Sequence, residues 1–145
     1  MMTLRGLSFL FCLVAATAAL AHQGVQNTAV KAWMDSMEVT ADKTKVRGGM
    51  AMGVEPFDAE AARRAAAQIA REAERTPDLF AARAEDPLSE ASPDIWVNFD
   101  DFTAKSQALV VAAEGALTVS ARDDLRPALA AIGAACKACH GEYRE

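Results

Sequence analysis

The sequence predicts an all-α protein, a four-helix bundle. Apolar residues recur at alternating steps of three and four in four separate segments, which is the spacing of one helix face. Strong helix formers, above all alanine, fill these segments. No segment shows a convincing apolar-polar alternation with the period of two that is typical of strands. Four such helices with one long connection form a bundle, and the core of a bundle is a usual place for a cofactor.

Residues 1–21 have the features of a secretory signal peptide. A single positive charge, at Arg5, precedes an uncharged apolar run of 14 residues, LSFLFCLVAATAAL. Small residues stand at Ala19 and Ala21, the two positions that a signal peptidase reads. The run is shorter than the about 20 apolar residues that span a bilayer. We therefore expect this segment to be removed on export.

The mature chain is expected to begin at His22 and to form one soluble domain over residues 22–145, without a membrane anchor. Cys12 follows Phe11, whereas a lipid-attachment signal has a small residue there, so Cys12 is expected to leave with the signal. His22 is expected to belong to a frayed terminus.

Helices one and two occupy the first half of this domain. Helix one is predicted over residues 25–46, ending near the pair Gly48 and Gly49. Helix two is predicted to begin after an N-cap at Asp58 and to end near Pro77. The apolar face of helix one carries Val30, Trp33, Met34, Met37 and Ala41.

A long connection and two further helices complete the domain. Residues 77–92 are predicted to form a loop with Leu79 and Phe80 turned inward. Helix three is predicted to begin at Ser92, and the last helix near Asp123. Helix three has an aromatic face with Ile95, Trp96, Phe99, Phe102, Leu109, Val110, Ala113 and Leu117. The face of the last helix carries Leu125, Leu129, Ile132, Cys136, Cys139 and Tyr143.

The charge pattern argues against a nucleic-acid partner. The net charge is −5, and it becomes −6 when the single charge of Arg5 leaves with the signal. Lysine and arginine are scattered along the chain without a basic block, whereas binding to phosphates depends on clustered cations.

The tail of the last helix, CKACH, has the pattern of covalent haem attachment. Cys136 and Cys139 lie three apart on one helix face, so both thiols can bond to the vinyl groups along one edge of a porphyrin. His140, directly after Cys139, can then reach the iron, and a partner for its other ring nitrogen would fix the tautomer. The pattern predicts one covalently bound haem c, with His140 as the proximal iron ligand.

Three other interpretations of this cluster are weaker. A redox pair of the thioredoxin kind would lie at the start of a helix that follows a strand. A structural zinc site needs four ligands, and beyond the cluster the mature chain offers only His22 and carboxylates. A disulfide between Cys136 and Cys139 would be strained, because a regular helix does not present the sulfurs at the required dihedral angle.

Three segments together resemble the class II c-type cytochromes, the cytochrome c′ family. These are the tail CKACHGEYR, the segment VKAWMDSMEVTADKTKVRGGMA of helix one and SPDIWVNFDDF at the start of helix three. The resemblance implies an antiparallel bundle, haem bound through Cys136 and Cys139 near the C-terminus, and His140 as proximal ligand. It also implies frequent homodimers, a periplasmic location in a bacterium, and electron transfer or the binding of small gases.

The sixth coordination position of the iron decides between electron transfer and the binding of small gases. Members of the family with an apolar residue over the iron are five-coordinate and bind NO or CO, whereas others carry a methionine on helix one. Met37, four after Trp33, corresponds to that methionine, and the resemblance implies that it is the distal ligand. A thioether and an imidazole together raise the reduction potential, which suits an electron carrier. The alternative for Met37 is simple packing in the core, as Met34 shows that a nearby methionine need not bind iron.

Two further residues follow from the resemblance. Trp33 stands where the family commonly has an arginine near the haem propionates or distal pocket, and it is expected to pack in the core and against the haem. Arg144, four after His140, resembles a basic residue that the family places near the proximal histidine. An ordinary exposed C-terminal arginine is the alternative.

The predicted function is therefore that of a periplasmic electron carrier, with a five-coordinate protein that binds NO or CO as the alternative. No group of acidic, hydroxyl or basic residues forms a catalytic constellation, so an enzyme is not expected. A peroxidase needs a polar acid-base residue on the distal side of the iron, where Met37 is expected in this chain. The expected partners are redox proteins of the periplasm, and a homodimer would use the first two helices.

Overall fold

The computed structural model describes residues 24–145, so the predicted signal peptide and His22 lie outside the described residues. Within this range the chain is helical, and the only pairing of strand type is an isolated antiparallel bridge between Ala91 and Arg144. The helices are α1 (Thr28–Met52), α2 (Ala59–Leu79), the short α3 (Asp94–Val97), α4 (Phe99–Gly115) and α5 (Leu125–Tyr143). The predicted all-α fold is confirmed.

The four long helices α1, α2, α4 and α5 form an antiparallel bundle. Trp33, early in α1, stacks on Phe80 directly after the end of α2, while Met50 near the end of α1 packs with Ala62 near the start of α2. Tyr143 at the end of α5 contacts Phe102 at the start of α4. Successive long helices therefore run in opposite directions, as up-down-up-down bundles do.

Helix α1 is longer than the sequence indicated. It continues through Gly48 and Gly49 to Met52, so the predicted end was wrong by several residues. A Cβ on Gly49 would lie 3.2 Å from Cγ of Glu55, which shows that this glycine allows the following turn to approach closely. The helix ends at Gly53, whose φ of 75° is the left-handed conformation that glycine favours after a helix.

Helix α2 begins as predicted and ends later than predicted. Asp58 is the N-cap, and its carboxylate accepts a hydrogen bond of 2.9 Å from the backbone nitrogen of Ala61. Pro77 lies inside the helix, which runs on to Leu79. Proline cannot donate to the carbonyl four residues earlier, but the hydroxyl of Ser106 donates to that oxygen, on Ala73, at 2.7 Å.

The predicted third helix is divided in two. Asn98, with φ −120° and ψ 44°, separates α3 from α4, so a single helix from Ser92 was wrong. Leu117, assigned to the buried face, lies in a turn of 3-10 helix and is 38% exposed, whereas Val119 is buried in its place. A 3-10 turn over Arg122–Asp124 precedes α5, close to the predicted start.

The core is divided into three clusters along the bundle axis. The cavity-end cluster is aromatic and contains Val30, Trp33, Phe80, Ile95, Phe102 and Tyr143. The middle cluster contains Ala66, Ile69, Ala70, Ala113, Ala116 and Ile132. The far-end cluster contains Met50, Ala62, Val119 and Leu125. The inward position of Phe80 in the long loop is confirmed.

Candidate functional site

A cavity of about 430 Å³ lies where α1 begins and α5 ends. Its size is in the usual range for sites that bind small molecules or cofactors. Helix α1 contributes Trp33, Met34, Met37, Glu38 and Ala41, and α5 with the residue after it contributes Cys139, His140, Tyr143 and Arg144. The remaining lining residues are Phe80, Leu88, Ser89, Glu90, Ala91, Ile95 and Phe102.

Stacked aromatic rings form one wall of this cavity. The rings of Trp33 and Phe80 are nearly parallel, with centroids 4.2 Å apart, and Phe102 meets Phe80 edge-on at 5.1 Å. Tyr143 continues the wall, at 90° to Phe102 and 5.4 Å away. Trp96, behind the wall, donates from Nε1 to the carbonyl oxygen of Phe80 at 2.8 Å. Trp33 is thus a core residue, as the sequence indicated.

Cys136 and Cys139 are both free thiols and half-buried, one helical turn apart on α5. Cys139 faces the cavity, whereas Cys136 packs against the middle cluster. Burial raises the pKa of Cys136 and raises the pKa of Cys139 to about 11. Both thiols are therefore protonated near neutral pH, unlike the thiolate of a thioredoxin-like pair.

His140 lies at the rim of the cavity, with part of its side chain exposed. Burial of the ring lowers the pKa of His140, the positive charge of Arg144 lowers it further, and Glu90 opposes both effects. The neutral imidazole is consequently favoured, and this is the form that binds metals.

Met34 and Met37 line the cavity from α1. Both are partly buried and pack against the cavity-end cluster. The structure thus brings Met37, Cys139 and His140 to one cavity, although they are far apart in the sequence. It also brings Met34 to the same wall, so lining the cavity does not by itself distinguish the two thioethers.

The polar partners of Arg144 and Tyr143, which are Glu90 and Asp101, were not predicted from the sequence. Arg144, which was singled out, forms an ion pair with Glu90, which was not, and its Nε donates to the Glu90 carboxylate at 2.6 Å. Tyr143 donates to the carboxylate of Asp101 at 2.6 Å, and this bond is the main reason that the pKa of Tyr143 rises to about 12. In the loop, Asp86 precedes Pro87, a combination that favours a turn.

These residues fit a covalently bound haem. Two thiols one helical turn apart, an imidazole beside the second and a soft thioether across the cavity are the donors that c-type cytochromes use. The aromatic wall offers flat apolar faces of the kind that a porphyrin contacts. Every donor of this set is present among the described residues.

Comparison with known proteins identifies the family of this chain and its cofactor. The family model described as Cytochrome C' matches residues 28–144, which is nearly the whole described chain. The chain belongs to the cytochrome c′ family. Its cofactor is accordingly covalently bound haem c, and the predicted class II cytochrome is confirmed.

Relatives within the cytochrome c′ family extend along most of the chain. Cytochrome c-556 of Agrobacterium tumefaciens (strain apple 185) is 36% identical over 110 residues, which are 74% of this chain and 87% of the relative. Cytochrome c-554 of Cereibacter sphaeroides is 36% identical over 115 residues, 75% of each chain. An NMR-validated structural model of oxidized R. palustris cytochrome c556 superposes with a TM-score of 0.74 at 28% identity, covering 83% of this chain and 98% of that one.

The cytochrome c′ fold of residues 24–145 includes no helix that is both long and apolar enough to cross a membrane.

Proposed function

We propose that this cytochrome c′ family member is a periplasmic electron carrier whose haem iron is bound by His140 and Met37. When bound, haem c supplies an iron centre that takes up and releases one electron. The observation that carries the proposal is that a thioether from α1 and an imidazole from α5 line one cavity. The protein's residues then have three tasks: attachment, ligation and exclusion of water.

Attachment is assigned to Cys136 and Cys139. Their spacing of one turn suits two thioether bonds along one edge of the porphyrin, and Cys139 already faces the cavity. The two thiols are the only ones in the described chain, and neither is used in a disulfide. Each thiol would add across a vinyl double bond, its sulfur bonding to one vinyl carbon and its hydrogen passing to the other.

Ligation is assigned to His140 and Met37. The lowered pKa of His140 favours the neutral ring, which has a free nitrogen for the iron. A methionine thioether is a soft ligand, and with histidine on the other side it raises the reduction potential and leaves little room for added gases. The apolar wall of Trp33, Phe80 and Phe102 keeps water away and stabilises the less charged, reduced form.

Optical spectra of the oxidised and reduced protein, with and without CO, test the ligation. We expect a six-coordinate, low-spin spectrum and little uptake of CO. Met37→Ala should convert the protein to a high-spin form that takes up CO readily. Met34→Ala is the matched control, since it removes a thioether from the same wall, and its spectrum should remain that of the wild type.

Three results would contradict the ligation. Ready uptake of CO by the wild type would favour the five-coordinate, gas-binding alternative. A Met37→Ala spectrum that equals the wild-type spectrum would show that Met37 only packs in the core. If Met34→Ala alone opened the iron to CO, the ligand would be Met34.

The mass of the intact exported protein tests processing and attachment together. We expect a chain that begins at His22 and carries the added mass of one haem. Acidified organic solvent should leave the pigment on the wild type, whereas pigment that moves into the solvent would refute covalent attachment. Cys139→Ala and Cys136→Ala should each reduce the attached fraction.

A further inference from the structure

The segment 86–92, hereafter the clasp, borders the cavity and contacts both ends of the described chain. Leu88, Ser89, Glu90 and Ala91 line the cavity. The clasp belongs to the long loop between α2 and α3, so it is part of neither helix that carries a candidate iron ligand.

At one end the clasp holds the start of α1. One carboxylate oxygen of Asp86 accepts hydrogen bonds from the backbone nitrogens of Gln26, at 2.8 Å, and Asn27, at 3.1 Å. The other oxygen accepts from the backbone nitrogen of Leu88 at 3.0 Å, which fixes the carboxylate within its own loop. Asn27 is the N-cap of α1, so Asp86 holds the residue from which that helix starts.

At its other end the clasp holds the end of α5. The carboxylate of Glu90 accepts from Nε of Arg144 at 2.6 Å, and its carbonyl oxygen accepts from the backbone nitrogen of Glu145 at 2.9 Å. The backbone nitrogen of Ser92 donates to the carbonyl oxygen of Tyr143 at 3.0 Å. These bonds surround the bridge between Ala91 and Arg144, one helical turn after His140.

We infer that Asp86 and Glu90 are positioning residues of the cofactor site: through the clasp they fix α1 and α5, and with them Met37 and His140, at one separation. The inference rests on the proposed ligation for the role of these two ligands. Asp86 and Glu90 are only four residues apart, and Pro87 between them restricts the backbone, so the clasp is a short and stiff link.

The need for such a link follows from the geometry of ligation. Met37 lies ten residues into α1 from its N-cap, about 15 Å along the axis, so a small tilt at the start of the helix displaces its sulfur. Ligands have to be held within about 0.5 Å of the productive geometry. An exposed ion pair alone contributes little to stability, but Glu90 combines its ion pair with Arg144 and a main-chain hydrogen bond from the adjacent Glu145.

Two readouts on the holoprotein test the inference. In Glu90→Gln we expect amide exchange at Ser92 and Glu145 to be faster by about two- to tenfold, the range that one hydrogen bond supports. In Asp86→Ala we expect amide exchange at Gln26 and Asn27 to be faster by the same factor. Asp86→Asn keeps one acceptor oxygen, so its exchange rates should lie between those of the wild type and those of Asp86→Ala. In each variant the high-spin fraction and the rate of CO uptake should rise with the exchange rate.

Glu85→Gln is the control variant. Glu85 precedes Asp86, but its ion pair is with Arg83 of the same loop, at 2.6 Å, so its loss leaves the clasp in place. We expect wild-type exchange and wild-type CO uptake in this variant.

Each result decides one part of the inference. Unchanged exchange in both Glu90→Gln and Asp86→Ala would show that the clasp does not hold the helices. Faster exchange with unchanged CO uptake would show that the clasp does not position the ligands. A wild type that already takes up CO would refute the proposed ligation instead, and the exchange rates would then decide whether the clasp joins α1 to α5.

Discussion

The cavity end and the far end of the bundle are packed in different ways. At the cavity end large rings meet one another, as Trp33 and Phe80 do at 4.2 Å, and they frame an open volume of about 430 Å³. At the far end the smaller side chains of Ala62 and Val119 pack in one cluster with Met50 and Leu125. Rigid aromatic side chains therefore maintain a cofactor-sized space, whereas small and flexible residues allow the helices to close on one another.

The polar groups differ between the ends as well. The clasp at the cavity end lies at the surface, and its hydrogen bonds join separate parts of the chain. Towards the far end Arg47 is 0% exposed, and only its Nη1 has a partner, the carbonyl oxygen of Ala62 at 2.6 Å. Among residues 24–145 its Nε and Nη2 have no hydrogen-bond partner, and burial lowers the pKa of its guanidinium.

The largest expected effect compares two leucines. Leu125→Ala, at a far-end position that is 0% exposed, should lower the free energy of unfolding by about 2 to 5 kcal/mol, because it opens a cavity in close packing. Leu88→Ala, at the cavity rim where the residue is 51% exposed, should change it by less than about 0.5 kcal/mol. Urea unfolding of the holoprotein measures both, and equal effects would contradict the comparison.

The next effect concerns the continuation of α2 through Pro77. Ser106→Ala should lower the free energy of unfolding by about 1 to 3 kcal/mol, because the buried carbonyl of Ala73 then has no donor. The same change in a Pro77→Ala background should be smaller, since residue 77 would then have an N–H that can donate to Ala73. A double-mutant cycle measures the difference between the two effects. Additive effects would show that the Ser106 hydroxyl does not take the place of the N–H that Pro77 lacks.

A smaller effect of opposite sign is expected at Arg47. Arg47→Met keeps an elongated apolar side chain and removes two buried nitrogens without partners, so the free energy of unfolding should rise by about 1 kcal/mol. Arg64→Met, at a side chain that is 62% exposed, is the control and should have little effect. A loss of stability in Arg47→Met would indicate that the guanidinium is satisfied in solution.

The smallest effect is the response to acid, which both ends should share. Hydrogen bonds from backbone nitrogens lower the pKa of Asp86 in the clasp and of Asp58 at the start of α2. Because each folded pKa lies below the unfolded value of about 3.9, each contribution to stability is present above that pH and is lost as the pH falls through the folded pKa. Urea unfolding between neutral pH and pH about 3 should show a shallower decline in Asp86→Ala and in Asp58→Ala than in the wild type.

Much of the fold could be predicted from the sequence because it depends on neighbours in the chain. The periodic apolar faces predicted the long helices, and Asp58 was correctly predicted as an N-cap. The predicted ends of α1 and α2 were wrong because the local signals at these positions did not end the helices. Pro77 does not end α2 because Ser106 supplies the missing donor, and the glycine pair at residues 48–49 does not end α1.

In the candidate site, too, some residues were predicted from local spacing, whereas the role of others depends on the packing of helices. The spacing of Cys136, Cys139 and His140 indicated haem attachment directly, since one helical turn is enough to place them. The approach of Met37 to these residues depends on how α1 packs against α5, and it was expected only from the family resemblance. Glu90 was missed because its importance comes from Arg144, which lies 54 residues away in the chain.

The sequence by itself determined the long helices and the haem motif, because each is encoded within a few helical turns. It also determined the membership of the cytochrome c′ family, through a match that extends over residues 28–144. Only the tertiary structure decided which thioethers line the cavity, which carbonyl Ser106 satisfies and which loop joins α1 to α5. Those outcomes depend on distances between residues remote in the chain. Such distances are set by the packing of whole helices and not by the spacing of residues along any one of them.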